Sequence, residues 1–424
     1  MPFSKNQLII LGIGGLILLF FVLAFSGFLP GSRQSEPKAE LKLWGVGDAP
    51  SVWGATISSF RSLFPQISVN YTRVDESDYE RKLIDALAAG EGPDILMFHN
   101  TWFSKHGNKI VPAGADQIDI TSFRKIYPDV AESDFVSENQ IFALPLSVDT
   151  LGLFYNKDIF NNKKIAVPPA TWDDFKSTIL KVREFDSGGI SKSGAAIGGT
   201  GKSIVNATDI LNLVMLQFKT PMIDDFSGRA ALNNQNGRAA LNFYTQFVSP
   251  QSSYYTWEDS FANSVDSFAQ GKAAMIFAYA SQAPLIKGKN PFLNFGVSPA
   301  PQFTRDQSIN FASYWGLAVS AKTRYLKEAW DFVVFAGTNG EAAKNYVALT
   351  SKPPALRALI QSHLQDSFLG TFAGQALTAK SWRQSDNTVV KSAFDNMIES
   401  VLTGRFRADQ ALEQAETEIN NVRR

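Results

Sequence analysis

Gly152-Leu-Phe-Tyr-Asn-Lys-Asp-Ile-Phe160, followed after a short gap by Pro168-Pro-Ala-Thr-Trp-Asp-Asp-Phe175, is the stretch on which the reading of the fold turns. Gly152–Tyr155 is an apolar run of the length and composition of a buried strand. Thr171, with Asp174 three residues further on, has the pattern of a capping box. Phe175, Ile179 and Val182 then share one helix face until Gly188-Gly189. The stretch therefore reads as strand, loop and capped helix.

The same alternation runs in both directions from it. Leu41-Lys-Leu-Trp44 alternates like a strand and ends at Gly45. Trp53, Ile57, Phe60 and Phe64 lie on one helix face, which Pro65 stops. Ile67, Val69 and Tyr71 form a second strand, and Tyr79, Leu83, Ile84 and Leu87 a second helix closed by Gly90. Ile95–Phe98 and Ile141–Leu146 read as further strands, and so does Ala273–Tyr279. Helical stripes follow around Leu241–Val248, Ala329–Val333, Phe394–Leu402 and Leu412–Val422. Strands that alternate with helices predict an α/β fold with mostly parallel sheet.

Composition narrows the function. A chain of 424 residues corresponds to two or three domains at roughly 150 residues each. With 45% hydrophobic residues it has ample core-forming material, which excludes wholesale disorder. Lys and Arg total 40, as do Asp and Glu, so nothing suggests a nucleic-acid partner. No cysteine is present, which excludes disulfides, thiolate metal sites, cysteine nucleophiles and Cys-linked lipid. Only His99, His106 and His363 supply imidazole, and their spacing is not that of metal ligands. No G-x-S-x-G elbow occurs, and paired carboxylates such as Asp173-Asp174 and Asp224-Asp225 read as solvated turns. Spacing alone does not test for a glycosidase carboxylate pair.

Two local features carry specific expectations. Leu8–Leu29 is an apolar run of 22 residues, in which only Ser26 is polar. As a helix it would span about 33 Å, enough to cross a bilayer core. It reads as an uncleaved signal-anchor with the body outside, followed by the linker Gly31–Glu40; the rival is a signal peptide cleaved near Ala24-Phe-Ser26. Without residues 1–39 the body is two charges negative, too little to draw an electrostatic partner. The second feature is Ala196-Ile-Gly-Gly-Thr-Gly-Lys202-Ser203, which comes within one residue of a phosphate-binding loop. It lies mid-chain without an accompanying strand ending in a metal-binding Asp, so it reads as a glycine-rich turn before a helix.

The order of five blocks is more telling. Glu91-Gly-Pro-Asp-Ile95 precedes Ala143-Leu-Pro-Leu146, and the opening stretch comes next. Phe268-Ala-Gln-Gly-Lys-Ala-Ala-Met275 follows, then Val401-Leu-Thr-Gly404 with Asp409-Gln-Ala-Leu412. Over residues 41–424 this order resembles the family 1 extracellular solute-binding proteins of ABC importers, the maltose-binding protein type.

That resemblance implies a periplasmic-binding-protein-like (type II) fold: two α/β lobes, a hinge and a ligand cleft, with closure around solute. By analogy, residues 1–39 are anchor and linker; 41–147 plus 299–339 form lobe 1, and 150–296 plus 342–424 form lobe 2. It implies a monomer that passes a small solute, in particular a sugar, to a permease, with no cofactor, metal or catalysis. Members are commonly tethered by a lipidated Cys, and here the anchor helix takes that role. Ligand contacts carried over by position fall on Asp48, on His99, Asn100, Thr101 and Trp102, on Asp149, and on Tyr279 and Ser281, where relatives often place a stacking Trp. Trp315 and Trp382 are further aromatic candidates. The chemistry suits a sugar, whose C–H faces stack on aromatics and whose hydroxyls need fixed donors and acceptors. Trp44, Trp172 and Trp330 lie in periodic stripes and read as core. A sensor or adhesin on the same fold, or an enzyme, are the alternatives.

Overall fold

The computed structural model describes residues 38–422. The apolar run 8–29 lies outside the described residues; among them, no helix is long and apolar enough to cross a membrane.

Strands Ile67–Val74, Ala39–Val46 and Ile95–His99 lie side by side in parallel. Trp315–Ser320 then adds antiparallel to Ile95–His99, and itself pairs with Ile110–Val111 and Ala143–Pro145. Alternation sets the faces: Ala39, Leu41 and Leu43 are buried, whereas Glu40 and Lys42 are exposed. Helices Pro50–Leu63 and Glu76–Ala89 close this sheet. Pro50 starts the first without needing an N–H partner, and Gly90 at φ 77° ends the second. The core here includes Phe60, Tyr79, Phe98, Trp102 and Trp330.

A second sheet has three strands in the order Met275–Ala278, Gly152–Asn156 and Phe295–Pro299, all antiparallel. The expectation of mostly parallel sheet therefore holds for only part of the first sheet and fails for the second. An apolar strand run carries no signal of its neighbour's direction. The capping box at Thr171 and Asp174 forms as expected, with both reciprocal hydrogen bonds present. The helix it opens, Trp172–Val182, buries Trp172, Phe175, Ile179 and Val182. They join a second core with Phe154, Trp257 and Phe394.

The chain leaves the first core at Val148 and enters the second at Leu151. Its return differs from the expected boundary at 299. Phe311 still packs in the second core, whereas Ala312 and Tyr314 are in the first. Gln302 keeps the intervening segment on the second lobe through backbone bonds with Ala170 and Trp172. Nor does the second lobe resume at 342. Asn339 caps a fresh helix, Gly340–Thr350, through the amides of Glu341 and Ala342. That helix sets Tyr346 5.9 Å from Trp53, and Leu359 and Ile360 follow it into the first core. Leu369 and Phe372 then reach the second core, and the last crossing comes at Ala379–Lys380, which pairs in parallel with Asn310–Phe311.

Gly316 shows how closely these strands pack. A Cβ there would lie 2.9 Å from the Leu144 carbonyl oxygen and 2.9 Å from the Phe135 ring. Gly316→Ala is expected to destabilise the protein by about 1–3 kcal/mol, read as a lowered urea midpoint.

Candidate functional site

The candidate residues gather where the strands of the first sheet end and the second lobe begins. Ligand sites of open α/β sheets commonly lie beyond the carboxyl ends of strands. His99 closes strand Ile95–His99 and sits opposite Trp315 in the ladder. Their rings meet edge to face at 4.8 Å. Both keep part of their surface exposed. Thr101 Oγ1 lies 2.8 Å from His99 Nδ1, and Ser313 Oγ lies 3.1 Å from Nε2. Burial pushes the imidazole down to about 4, so it is neutral at physiological pH.

From the second lobe come Tyr279 and Asp149. The Tyr279 hydroxyl donates to Asp209 Oδ2 at 2.8 Å and shares a hydrogen bond with the Ser313 side chain. Ser313 therefore touches His99 on one side and Tyr279 on the other. Its own amide donates to the Asp149 carbonyl. The Asp149 carboxylate accepts from the amides of Thr150 (2.9 Å), Ala280 (3.0 Å) and Ser281 (3.0 Å). It pins the crossing strand to the turn after Met275–Ala278, and burial raises its carboxyl to about 6 despite those donors. Ser281 is exposed beside it.

Other candidates are turned away. Asp48 is buried, with Oδ1 2.6 Å from Lys352 Nζ and Oδ2 accepting from the Tyr346 hydroxyl at 2.8 Å. Its carboxylate neutralises a lysine of the first lobe and is buried away from the other candidates. Asn100 points inward as well. Its amide donates to Asp134 Oδ2 and the Ala312 carbonyl, and its oxygen accepts from the Tyr314 amide. Trp102 is 3% exposed and stacks on Tyr79 at 6.0 Å, with Trp315 edge-on at 5.1 Å. It is a buttress behind Trp315. A loop position in sequence gave no sign that its ring folds under the strand. Trp382 donates to Asn212 Oδ1 at 2.8 Å within the second core and joins no other candidate.

Sequence reading missed Ser313, Asp209 and Lys352. Each gains its place from contacts across more than 60 residues, which no local pattern announces. It missed Asp134 too. Buried to 1% exposure, that carboxylate accepts from Asn100, Tyr314 and Ser381. Burial pushes it up to about 6.

The glycine-rich segment has its own occupants. Asp259 accepts from the Thr200 amide (2.8 Å) and hydroxyl (2.7 Å), and Asp395 accepts from the Gly201 amide at 3.0 Å. Lys202 pairs with Glu399 at 2.6 Å on the surface. Carboxylates thus fill the places that phosphate oxygens would take, and the helix begins only at Ala207. No cluster of three or more His, Asp or Glu suited to a metal occurs among the described residues.

Residues 48–343 match the family of bacterial extracellular solute-binding proteins, and the chain belongs to that family. A putative binding protein of Brucella abortus is 23% identical over 283 residues, 65% of this chain. The match spans 66% of that relative's own length, just under two thirds. The maltotriose-binding protein of Pyrococcus abyssi is 22% identical, over 69% of this chain and 61% of its own. Among solved structures, the cyclic α-maltosyl-1,6-maltose binding protein of Arthrobacter globiformis superposes with a TM-score of 0.75 at 18% identity. That superposition covers 90% of this chain and 98% of the other. The shared fold is two-lobed and α/β.

Three outcomes are expected. Trp102→Ala should cost about 3–5 kcal/mol of stability, seen as a large fall in melting temperature without any ligand. Lys202→Ala should change stability by under about 1 kcal/mol, because an exposed ion pair contributes little, and neither it nor wild type should hydrolyse ATP. Asp134 holds its proton to higher pH when folded than when unfolded. Its contribution to stability is therefore full below the unfolded value and lost as pH rises through about 6. In urea melts, Asp134→Asn should then cost more relative to wild type near pH 4 than near pH 7.5.

Proposed function

We propose that the protein is an extracytoplasmic receptor that captures an uncharged, polyhydroxylated solute, in particular a sugar or short oligosaccharide, and delivers it to an ABC permease by closing its lobes. The observation that carries this reading is the state of the charges where the lobes meet. Asp149 is engaged by three amides, Asp209 by the Tyr279 hydroxyl and Lys105 by two carboxylates. The accessible side chains gathered around His99 are neutral: its own imidazole, the Trp315 indole, and the Ser313 and Ser281 hydroxyls. A charged solute held against these groups would be desolvated without a counter-charge from them, which is costly. Sugar hydroxyls instead find donors and acceptors, and a pyranose face finds an indole.

Support comes from the relatives. The Pyrococcus abyssi protein carries maltotriose in its name, and a multiple sugar-binding protein of Streptococcus mutans is 23% identical over 82% of this chain. The reading gives the chain a monomeric body outside the membrane, tethered by the apolar run Leu8–Leu29. His99, Trp315, Ser313 and Ser281 form the ligand surface, with Tyr279 bonded behind Ser313. Asp149 supports it through the Ala280–Ser281 turn.

Isothermal calorimetry with maltotriose, mannobiose, glucose 6-phosphate and glutamate tests it. At least one neutral sugar is expected to bind, and Trp315→Ala to weaken that binding about tenfold or more through lost stacking. Binding of the phosphosugar or the amino acid, with no response to either sugar, would refute the reading.

A further inference from the structure

Directly after His99–Trp102, the chain turns through the short helix Phe103–His106. Lys105 on that turn does not point to solvent alone. Its ammonium lies 2.7 Å from Glu80 Oε1, on first-lobe helix Glu76–Ala89. It also lies 2.9 Å from Asp386 Oδ1 and 3.4 Å from Thr388 Oγ1. Asp386 caps helix Asn387–Leu402, whose Phe394, Met397 and Ile398 are in the second core. One lysine therefore bridges a carboxylate from each lobe.

The surroundings reinforce the bridge. His106 Nε2 lies 2.8 Å from the same Glu80 oxygen, and bonds from His106 and Lys105 hold that carboxyl down at about 2. Glu80 is thus ionised throughout the physiological range. Nearby, the Arg383 guanidinium sits 4.6 Å from the Phe103 ring. It donates to the backbone carbonyls of Ser133 and Val136. The side chains of Lys105, Glu80 and Asp386 keep 23%, 29% and 16% of their surface exposed. Water and salt therefore screen this network less than a pair on an open surface.

We propose that Lys105 is a positioning residue: its ammonium clasps the two lobes between Glu80 and Asp386 and sets the ligand-facing loop 99–106 against the second lobe before any solute arrives. The purpose of the clasp rests on the solute-binding reading, but its existence does not. An ionic bridge between two bodies biases their equilibrium towards the joined state, and a ligand that prefers that state then binds more tightly.

The absence of native cysteine makes the test direct, since spin labels go only where cysteines are introduced. Ser62→Cys and Gln251→Cys are both exposed, one on each lobe. Double electron–electron resonance on the detergent-solubilised full chain, without ligand, reads the distance between them. In roughly 0.15 M salt, wild type should show one dominant distance. Lys105→Met and Asp386→Asn should each cut that population relative to others by about threefold to tenfold. Asn keeps the helix cap, so Asp386→Asn isolates the charge. Lys105→Arg should restore the wild-type distribution. Lys82→Met, which removes a lysine paired with Asp78 on its own helix at 3.1 Å, should leave it unchanged. A Lys105→Met distribution identical to wild type, or an equal shift from Lys82→Met, overturns the proposal. Both readouts need no solute, so failure of the solute reading leaves them intact.

Discussion

Everything in this molecule depends on a short joint of backbone hydrogen bonds between three separate passes of the chain. Thr150 bridges to Ala312, the Ser313 amide donates to the Asp149 carbonyl, and the Ala312 amide donates to the Lys380 carbonyl. Buried peptide groups must find partners, and a crossing strand cut off from water has none except its neighbours. The three passes therefore hold one another. Residues from both lobes reach this joint because the chain itself delivers them there.

The polar residues around the joint divide into two kinds. Some complete the joint: Asp149 through three amides, and Asp134 through Asn100, Tyr314 and Ser381. Leaving one of these donors unpaired would cost about 1–3 kcal/mol, so such groups cannot be released to a ligand cheaply. Others keep capacity to spare. His99, Ser313 and Trp315 are ordered by packing yet still partly exposed. Trp315 is fixed by Trp102 behind it and Tyr79 edge-on at 5.6 Å. A ring held this way presents its surface without an ordering penalty when something stacks on it.

Much of the first lobe was legible because its pattern is local. The alternation of Leu41 and Leu43 and the stripe from Trp53 to Phe60 act within a few residues, as does the Thr171–Asp174 cap in the second lobe. Strand direction in the second lobe was not legible, since Met275–Ala278 is apolar on both faces and fits either polarity. Site residues fared according to reach. Asp149 is buried at the junction, but its partners Ala280 and Ser281 stand more than 130 positions away, so its task as a brace was invisible. Asp48 looked available until Lys352, 304 positions later, took its oxygen. Trp102 looked like a loop residue because the fold of its backbone under Trp315 depends on a strand more than 200 positions on.

The perpendicular contact of Trp102 and Trp315 has an optical consequence. Two indoles 5.1 Å apart at 82° have coupled electronic transitions, and one of them faces the outside while the other is sealed in the core. Anything that settled on the outer ring would change the surroundings of one chromophore and, through the coupling, the signal of the pair. A near-ultraviolet difference spectrum against Trp315→Phe therefore isolates this pair from the other six indoles of the chain without an added dye.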